Sequence, residues 1–160
     1  MQLPICALFA WFTIALFCLI PKRLAVFDLV FMYMVTLIMT TIVFTLFDLN
    51  LHTVIIPRTV TTSFAVIMCR LVTIPLLIMM AVNALLSVVH KKARFAAAIV
   101  IWLAVVVFDW MLNLLHVIVY QKSLMWHVVS TLCVYFAFIT ATYWLTRIYM
   151  RMDRSNLWQT

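Results

Sequence analysis

Four residues with ionisable or amide side chains interrupt long apolar stretches of this sequence: Arg70, Asp109, Asn113 and His116. On a helix, spacings of four and three residues put Asp109, Asn113 and His116 on one face. Within a membrane, each lone charge costs roughly 2.5–3.5 kcal/mol on an insertion scale, so it indicates a functional group or half of an ion pair. The four residues form a candidate intramembrane polar site. Its chemistry is either proton or ion transfer or a structural pairing that sets helix register.

Arg70 and Asp109 are expected to lie at the same depth. Arg70 is 11 residues from Thr59, and Asp109 is ten residues from Val119. At about 1.5 Å per residue, both lie about 15–17 Å below one membrane surface. Opposite charges at matched depth predict an Arg70–Asp109 ion pair, with Asn113 or a threonine satisfying the remaining donors. Function and helix register explain such a pair equally well.

Three histidines and two acids approach the same surface: His52, His116, His127, Asp48 and Asp109. Imidazole and carboxylate groups bind transition metals, and His116 and His127 on neighbouring helices could hold a haem. The sequence has no HExxH motif, however, and interfacial histidines are often simply solvated. We therefore expect no metal and no cofactor. No Ser–His–Asp set has a supporting motif either, so we expect no catalytic residue and no enzymatic activity.

The amino-acid composition indicates that this chain is surrounded by lipid rather than by water. Of its 160 residues, 69% are hydrophobic and 9% are charged, against about 45–50% and about 25% in soluble domains. So small a chain cannot hide that much apolar surface from water. It contains no glycine, which excludes GxxxG packing motifs and glycine-rich phosphate loops. No CxxC pair is present, so neither a disulfide framework nor a zinc site is indicated. The expected class is an all-α, polytopic integral membrane protein.

Five apolar runs predict a bundle of about five transmembrane helices in a single membrane domain, 1–160. A span needs about 20 apolar residues. The third run is longer than that and contains Pro75, which lacks an N–H and interrupts the helical ladder, so we expect one helix kinked there. The alternative is a short entering segment followed by a separate span, and residues 49–70 could include an interfacial or re-entrant segment. The predicted spans are 3–20, 27–47, 59–89, 95–119 and 124–146, followed by a short basic tail, 147–160.

Basic residues collect on alternate connections of this five-span arrangement. Arg58 and Lys122 fall on one side, whereas eight of the 11 Lys and Arg residues fall on the other. Cytoplasmic connections are enriched in Lys and Arg, so the N-terminus is expected outside and the C-terminus in the cytoplasm. Lys22 and Arg23 belong to the basic side. Its candidate contacts for anionic lipid head groups are Lys91, Lys92, Arg94, Arg147, Arg151 and Arg154.

The functional expectation follows mainly from features that the sequence lacks. It has no soluble domain, nucleotide motif or long loop, and its net charge of +7 is explained by membrane orientation rather than nucleic acid. We expect a small non-enzymatic protein that acts by intramembrane helix contacts, as an accessory, assembly, immunity or regulatory subunit. Its partner would be another membrane protein or a second copy. A small transporter or proton/ion pathway, and a haem- or quinone-binding anchor subunit, are the alternatives. Short loops and small size suggest a bacterial plasma membrane.

Overall fold

The computed structural model describes residues 2–21, 25–46, 54–55, 59–87, 91–115, 117, 119–120 and 124–156, with the backbone alone for 54–55, 119–120, 124–127 and 153–156. Five helical spans are long and apolar enough to cross a membrane, and the third of them, Val60–Leu86, consists of two α-helices joined by a π-helical segment. The helices are α1 (Gln2–Leu19), α2 (Val26–Thr45), α3 (Val60–Met68), α4 (Ile74–Leu86), α5 (Lys91–Leu114) and α6 (Leu124–Asn156). A π-helical segment (Cys69–Thr73) joins α3 to α4.

The last two spans differ from their predicted bounds. Helix α5 begins at Lys91 rather than residue 95, because long basic side chains can occupy a first turn and still reach the membrane surface. It ends at Leu114, and the chain then forms a two-residue strand, β2 (Val119–Tyr120), that pairs antiparallel with β1 (Val54–Ile55). Helix α6 extends ten residues past its predicted end, so much of the basic tail is helical.

Polar side chains begin two of the helices. Thr59 precedes α3, and its Oγ1 accepts a hydrogen bond from the backbone N–H of Thr62 at 3.3 Å. In the first turn of α2, Asp28 Oδ2 accepts from the Ala25 N–H at 3.2 Å. Both contacts satisfy backbone donors that the helix leaves without intrahelical partners, and the Asp28 charge also complements the helix dipole.

The third span is one helix, Val60–Leu86, that continues through Pro75. Its irregular part is the π-helical segment directly before this proline. Proline has no N–H to offer the carbonyl four residues earlier, and its ring crowds that carbonyl. Here that carbonyl belongs to Leu71, and the Tyr33 hydroxyl of α2 donates to it at 2.7 Å. A side chain from a neighbouring helix therefore replaces the hydrogen bond that Pro75 removes.

Replacing Tyr33 with phenylalanine removes this donor and keeps the ring. We expect the free energy of unfolding to fall by about 0.5–1.5 kcal/mol, because the Leu71 carbonyl loses its side-chain partner. Unfolding of the purified protein in mixed micelles measures the change. Tyr149→Phe, which keeps the ring stacked on Phe31 at 4.2 Å, is the control and should alter stability by less than about 0.5 kcal/mol. Equal stability of Tyr33→Phe and the wild type would contradict this role.

Threonines supply the small packing surfaces that glycine provides in many membrane proteins. Thr36 and Thr40 are completely buried on α2. Their hydroxyls donate to the carbonyls of Met32 and Thr36, one turn earlier, at 2.7 and 2.8 Å. Each threonine thus presents its methyl group to the neighbouring helix while its polar atom is satisfied within its own helix. Close packing is possible without glycine for this reason.

One end of the bundle is held together by the side chain of Gln2. Its Nε2 donates to the carbonyl of Leu115 at 2.8 Å, and its Oε1 accepts from the Thr62 hydroxyl at 2.9 Å. The start of α1, the start of α3 and the end of α5 therefore meet at this Gln2 end. Gln2 is half-buried, and an amide in an apolar medium is costly unless its donors and acceptors are paired, so these bonds favour this meeting of helix ends.

The opposite end contains the end of α4 and the start of α5. Arg94 Nη1 donates to the carbonyls of Leu85 and Ser87 at 3.3 and 2.9 Å, which satisfies carbonyls at the C-terminus of α4. Asn83 Nδ2 makes a longer contact of 3.5 Å with the carbonyl of Pro21, just after α1. The third span and α5 thus run in opposite directions. Helix α4 is central, because it packs against α1, α2, α5 and α6.

Candidate intramembrane polar site

Asp109 lies on α5 with 1% of its surface exposed. Both of its carboxylate oxygens accept hydrogen bonds from α6: the Tyr135 hydroxyl donates to Oδ1 at 3.2 Å and the Thr131 hydroxyl to Oδ2 at 3.4 Å. Tyr135 and Thr131 are themselves buried and are four residues apart, so they lie on one face of α6. We call these three residues the Asp109 cluster. It connects the C-terminal part of α5 to α6.

Tyr135 and Thr131 were not among the residues selected from the sequence. The sequence does contain a signal for them. Thr131 and Tyr135 lie seven and 11 residues after the start of α6 at Leu124. At about 1.5 Å per residue, that is about 10–17 Å along α6 from its start, a range that overlaps the 15–17 Å expected for Asp109. Spacing and depth together would have selected them. Hydropathy alone does not, since isolated threonines and tyrosines are common in apolar helices.

Arg70 lies in the π-helical segment and is half-buried. The carbon at the centre of its guanidinium group is 4.5 Å from the centre of the Phe44 ring on α2. A cation over an aromatic face is stabilised by about 0.5–2 kcal/mol, and by more where water is excluded. This contact offsets part of the cost of placing the Arg70 charge within a span.

Arg70 and Asp109 lie at similar depths. Counted from the level of the Gln2 contacts, Arg70 is eight residues beyond Thr62 and Asp109 six residues before Leu115, or about 12 and 9 Å. Their identified neighbours differ, since the π-helical segment packs against α1 and α2, whereas Asp109 bonds to α6. The Arg70–Asp109 ion pair stays a prediction.

The structure describes only some of the other residues that the sequence analysis selected. Asn113 is half-buried one turn beyond Asp109 on α5. His116, His52 and Asp48 lie outside the described residues. The side chain of His127, at the start of α6, is also outside the described part. Among the side chains that the structure does describe, no three His, Cys, Asp or Glu groups come together as metal ligands.

Two free cysteines meet beside the π-helical segment. Cys6 of α1 and Cys69 are both buried in the same core cluster, where α1 packs against the π-helical segment. The sequence did not indicate this contact, because 62 residues separate the two positions and neither lies in a CxxC motif. The two cysteines lie where α1 packs against the helix turn that carries Arg70.

Five of the six candidate lipid-contacting residues lie together at the end of the bundle opposite Gln2, which we call the basic end. Lys91, Lys92, Arg147 and Arg151 are exposed, and Arg94 is half-buried against the end of α4. A cleft of about 550 Å³ places Arg147 and Arg151 of α6 beside Leu86 of α4. The side chain of the sixth candidate, at position 154, is outside the described part of the chain.

The Asp109 cluster and the basic end are therefore separate features of the bundle. The cluster lies deep between α5 and α6, whereas the basic side chains line its far end. The cleft beside Arg147 is not lined by Arg70, Asp109 or Asn113. No protein-family model, curated protein or solved structure matches this chain.

Proposed function

We propose that this protein is a small, non-enzymatic integral membrane protein that acts through helix contacts inside the bilayer. In this role it is an accessory, assembly, immunity or regulatory subunit bound to another membrane protein or to a second copy of itself. The observation that carries the proposal is the burial of Asp109, which directs both carboxylate oxygens at α6 side chains. These two bonds join α5 to α6 inside the bundle, and the outer surfaces of the helices are then available to partners.

Those outer surfaces are apolar and rich in aromatic side chains. On α1, Trp11 and Phe12 are 67% and 53% exposed, and Phe27 at the start of α2 is 81% exposed. Lipid can cover such a surface, and a partner helix can replace the lipid by packing. Helices α1 and α2 are the best candidates for this contact, because most of their side chains are not buried within the bundle.

The proposed orientation places the N-terminus outside and the basic end in the cytoplasm of a bacterial plasma membrane. The grouping of Lys91, Lys92, Arg94, Arg147 and Arg151 at one end supports it, because cytoplasmic ends are enriched in Lys and Arg. At that end these residues would contact anionic head groups. The short connections between the spans agree with a plasma-membrane protein that has no soluble domain.

The decisive experiment is affinity purification in a gentle detergent with quantitative mass spectrometry. We expect one membrane protein, or a second copy of the chain, at constant stoichiometry, and weaker recovery when Trp11 and Phe12 of α1 are both changed to alanine. Trp144→Ala, an equally exposed aromatic on α6, is the matched control. A monomer without a partner, active in proteoliposome flux, would refute the proposal.

A proton or ion pathway is the second candidate, and Arg70 in a π-helical segment favours it. Single π-helical turns occur frequently at functional sites, and ionisable residues inside spans often serve transport. Flux through proteoliposomes that is lost in Asp109→Asn would support this candidate.

A further inference from the structure

A second cleft, of about 490 Å³, lies between α5 and α6 at the basic end. Its volume falls within the range of about 300–1,000 Å³ typical of small-molecule sites. The walls are mainly apolar, and the polar groups concentrate towards the basic end. The lining residues that matter here are Arg94, Phe95, Trp102, Phe136, Thr140 and Tyr143.

One charged hydrogen-bond donor on this wall has no acceptor among the described residues. Arg94 uses Nη1 to bond the end of α4, but its Nε is buried and donates to none of them. Unpaired donors in hydrocarbon are costly, and lipid chains offer no acceptor. The missing partner must therefore carry acceptor oxygens, and the positive charge of Arg94 favours an anion.

The length of the cleft restricts the occupant further. Arg94 and Trp102 are eight residues apart on α5, which is about 12 Å along the helix axis. One leaflet of the hydrocarbon core is about 15 Å deep, so the cleft covers most of one leaflet and is too short for a partner helix. An occupant with an anionic head group at Arg94 and an apolar chain beside Phe95 and Phe136 matches the length of the cleft and the charge at its basic end.

We propose that this cleft binds one anionic phospholipid, with its phosphate at Arg94 and one acyl chain along the α5–α6 wall. The exposed Lys91 and Lys92 at the same end add positive potential that attracts anionic lipid. The inference rests on the proposed membrane location and not on the proposed helix partner. It predicts a specific lipid site at Arg94, in addition to the general head-group contacts proposed for the other basic side chains.

Native mass spectrometry of the purified protein, incubated with an equimolar mixture of phosphatidylglycerol and phosphatidylcholine, tests the site. We expect one phosphatidylglycerol to stay bound at activation energies that remove the other lipids. Arg94→Gln should lower this occupancy roughly tenfold, because a charge-assisted contact is lost. Lys92→Gln removes the same charge two residues away, outside the cleft, and should have little effect. Equal loss in both variants would overturn the proposal.

A second variant keeps the proposal testable if Arg94→Gln does not fold. Thr140 is exposed and lines the cleft, and its hydroxyl bonds only the Phe136 carbonyl of its own helix in the described structure. Thr140→Phe should fill the cleft and remove the retained lipid while leaving every charge in place. Ala137→Phe, an exposed position on the same helix outside the cleft lining, is the control. Retention of the lipid in Thr140→Phe would refute the site, and the partner experiment above is unaffected by either result.

Discussion

Replacing Asp109 with leucine is expected to lower the free energy of unfolding by about 2 kcal/mol, because hydrogen bonds between membrane helices contribute up to about 1.7 kcal/mol each. The substitution removes the carboxylate oxygens to which the buried hydroxyls of Tyr135 and Thr131 donate. Leucine also replaces a flat carboxylate with a branched side chain at a position that is 1% exposed. Reversible unfolding of the purified protein in mixed micelles measures the loss.

Three further variants separate the hydrogen bonds from other effects. Asp109→Asn keeps a carbonyl oxygen as acceptor and should lose about half as much stability. Combining Asp109→Leu with Tyr135→Phe should cost at least 0.5 kcal/mol less than the sum of the single changes, roughly the lower limit for directly bonded residues. Asp28→Asn, at the exposed start of α2, should change stability by only about 0.3–1 kcal/mol. A leucine variant as stable as the wild type would show that the Asp109 cluster does not hold α5 to α6.

Exchanging the charges of Arg70 and Asp109 is expected to restore the folded yield that either single reversal loses. Arg70→Asp places two acids at one depth, and Asp109→Arg places two cations there. Each unpaired charge costs roughly 2.5–3.5 kcal/mol on an insertion scale, which corresponds to a loss of tenfold or more in inserted, folded protein. Yield by detergent-phase size-exclusion chromatography gives the comparison.

Recovery in the double reversal should be partial even if the ion pair exists. Arg70 also loses its position over Phe44, and Asp109 its bonds to Tyr135 and Thr131. The control combines Arg70→Asp with Asp28→Arg, because Asp28 begins α2 at the opposite end from Gln2 and cannot reach Arg70. If the Arg70/Asp109 double reversal recovers no more protein than this control, the two residues are not a pair.

The two clefts are separate from the Asp109 cluster, and lipid bound in them would contact a different part of the bundle. Both clefts open at the basic end, beside Arg94 in one case and Arg147 and Arg151 in the other. A lipid bound between α5 and α6 would strengthen the same interface that the Asp109 cluster joins deeper in the bundle. Helix contacts and lipid contacts would then stabilise one arrangement of α5 and α6.

The five spans were predictable because hydropathy depends on local composition and on the thickness of the bilayer. The irregularity near Pro75 was also predictable, since a missing N–H acts within one turn of its own helix. Its form was not. The π-helical segment and the Tyr33 bond to the Leu71 carbonyl both depend on α2 lying beside the third span. Tyr33 is 38 residues from Leu71 in the chain.

The identity of this chain as a helical bundle suited to a membrane was determined by its sequence alone, because no other solvent accepts so many apolar side chains. The partners of its polar groups were decided only by the tertiary structure. In lipid, the buried and outward faces of a helix are both apolar, so no stripe in the sequence reveals how each helix is rotated. Rotation is set by packing between distant segments. It brings Asp109 to Tyr135 and Thr131, Arg70 to Phe44, and Cys6 to Cys69.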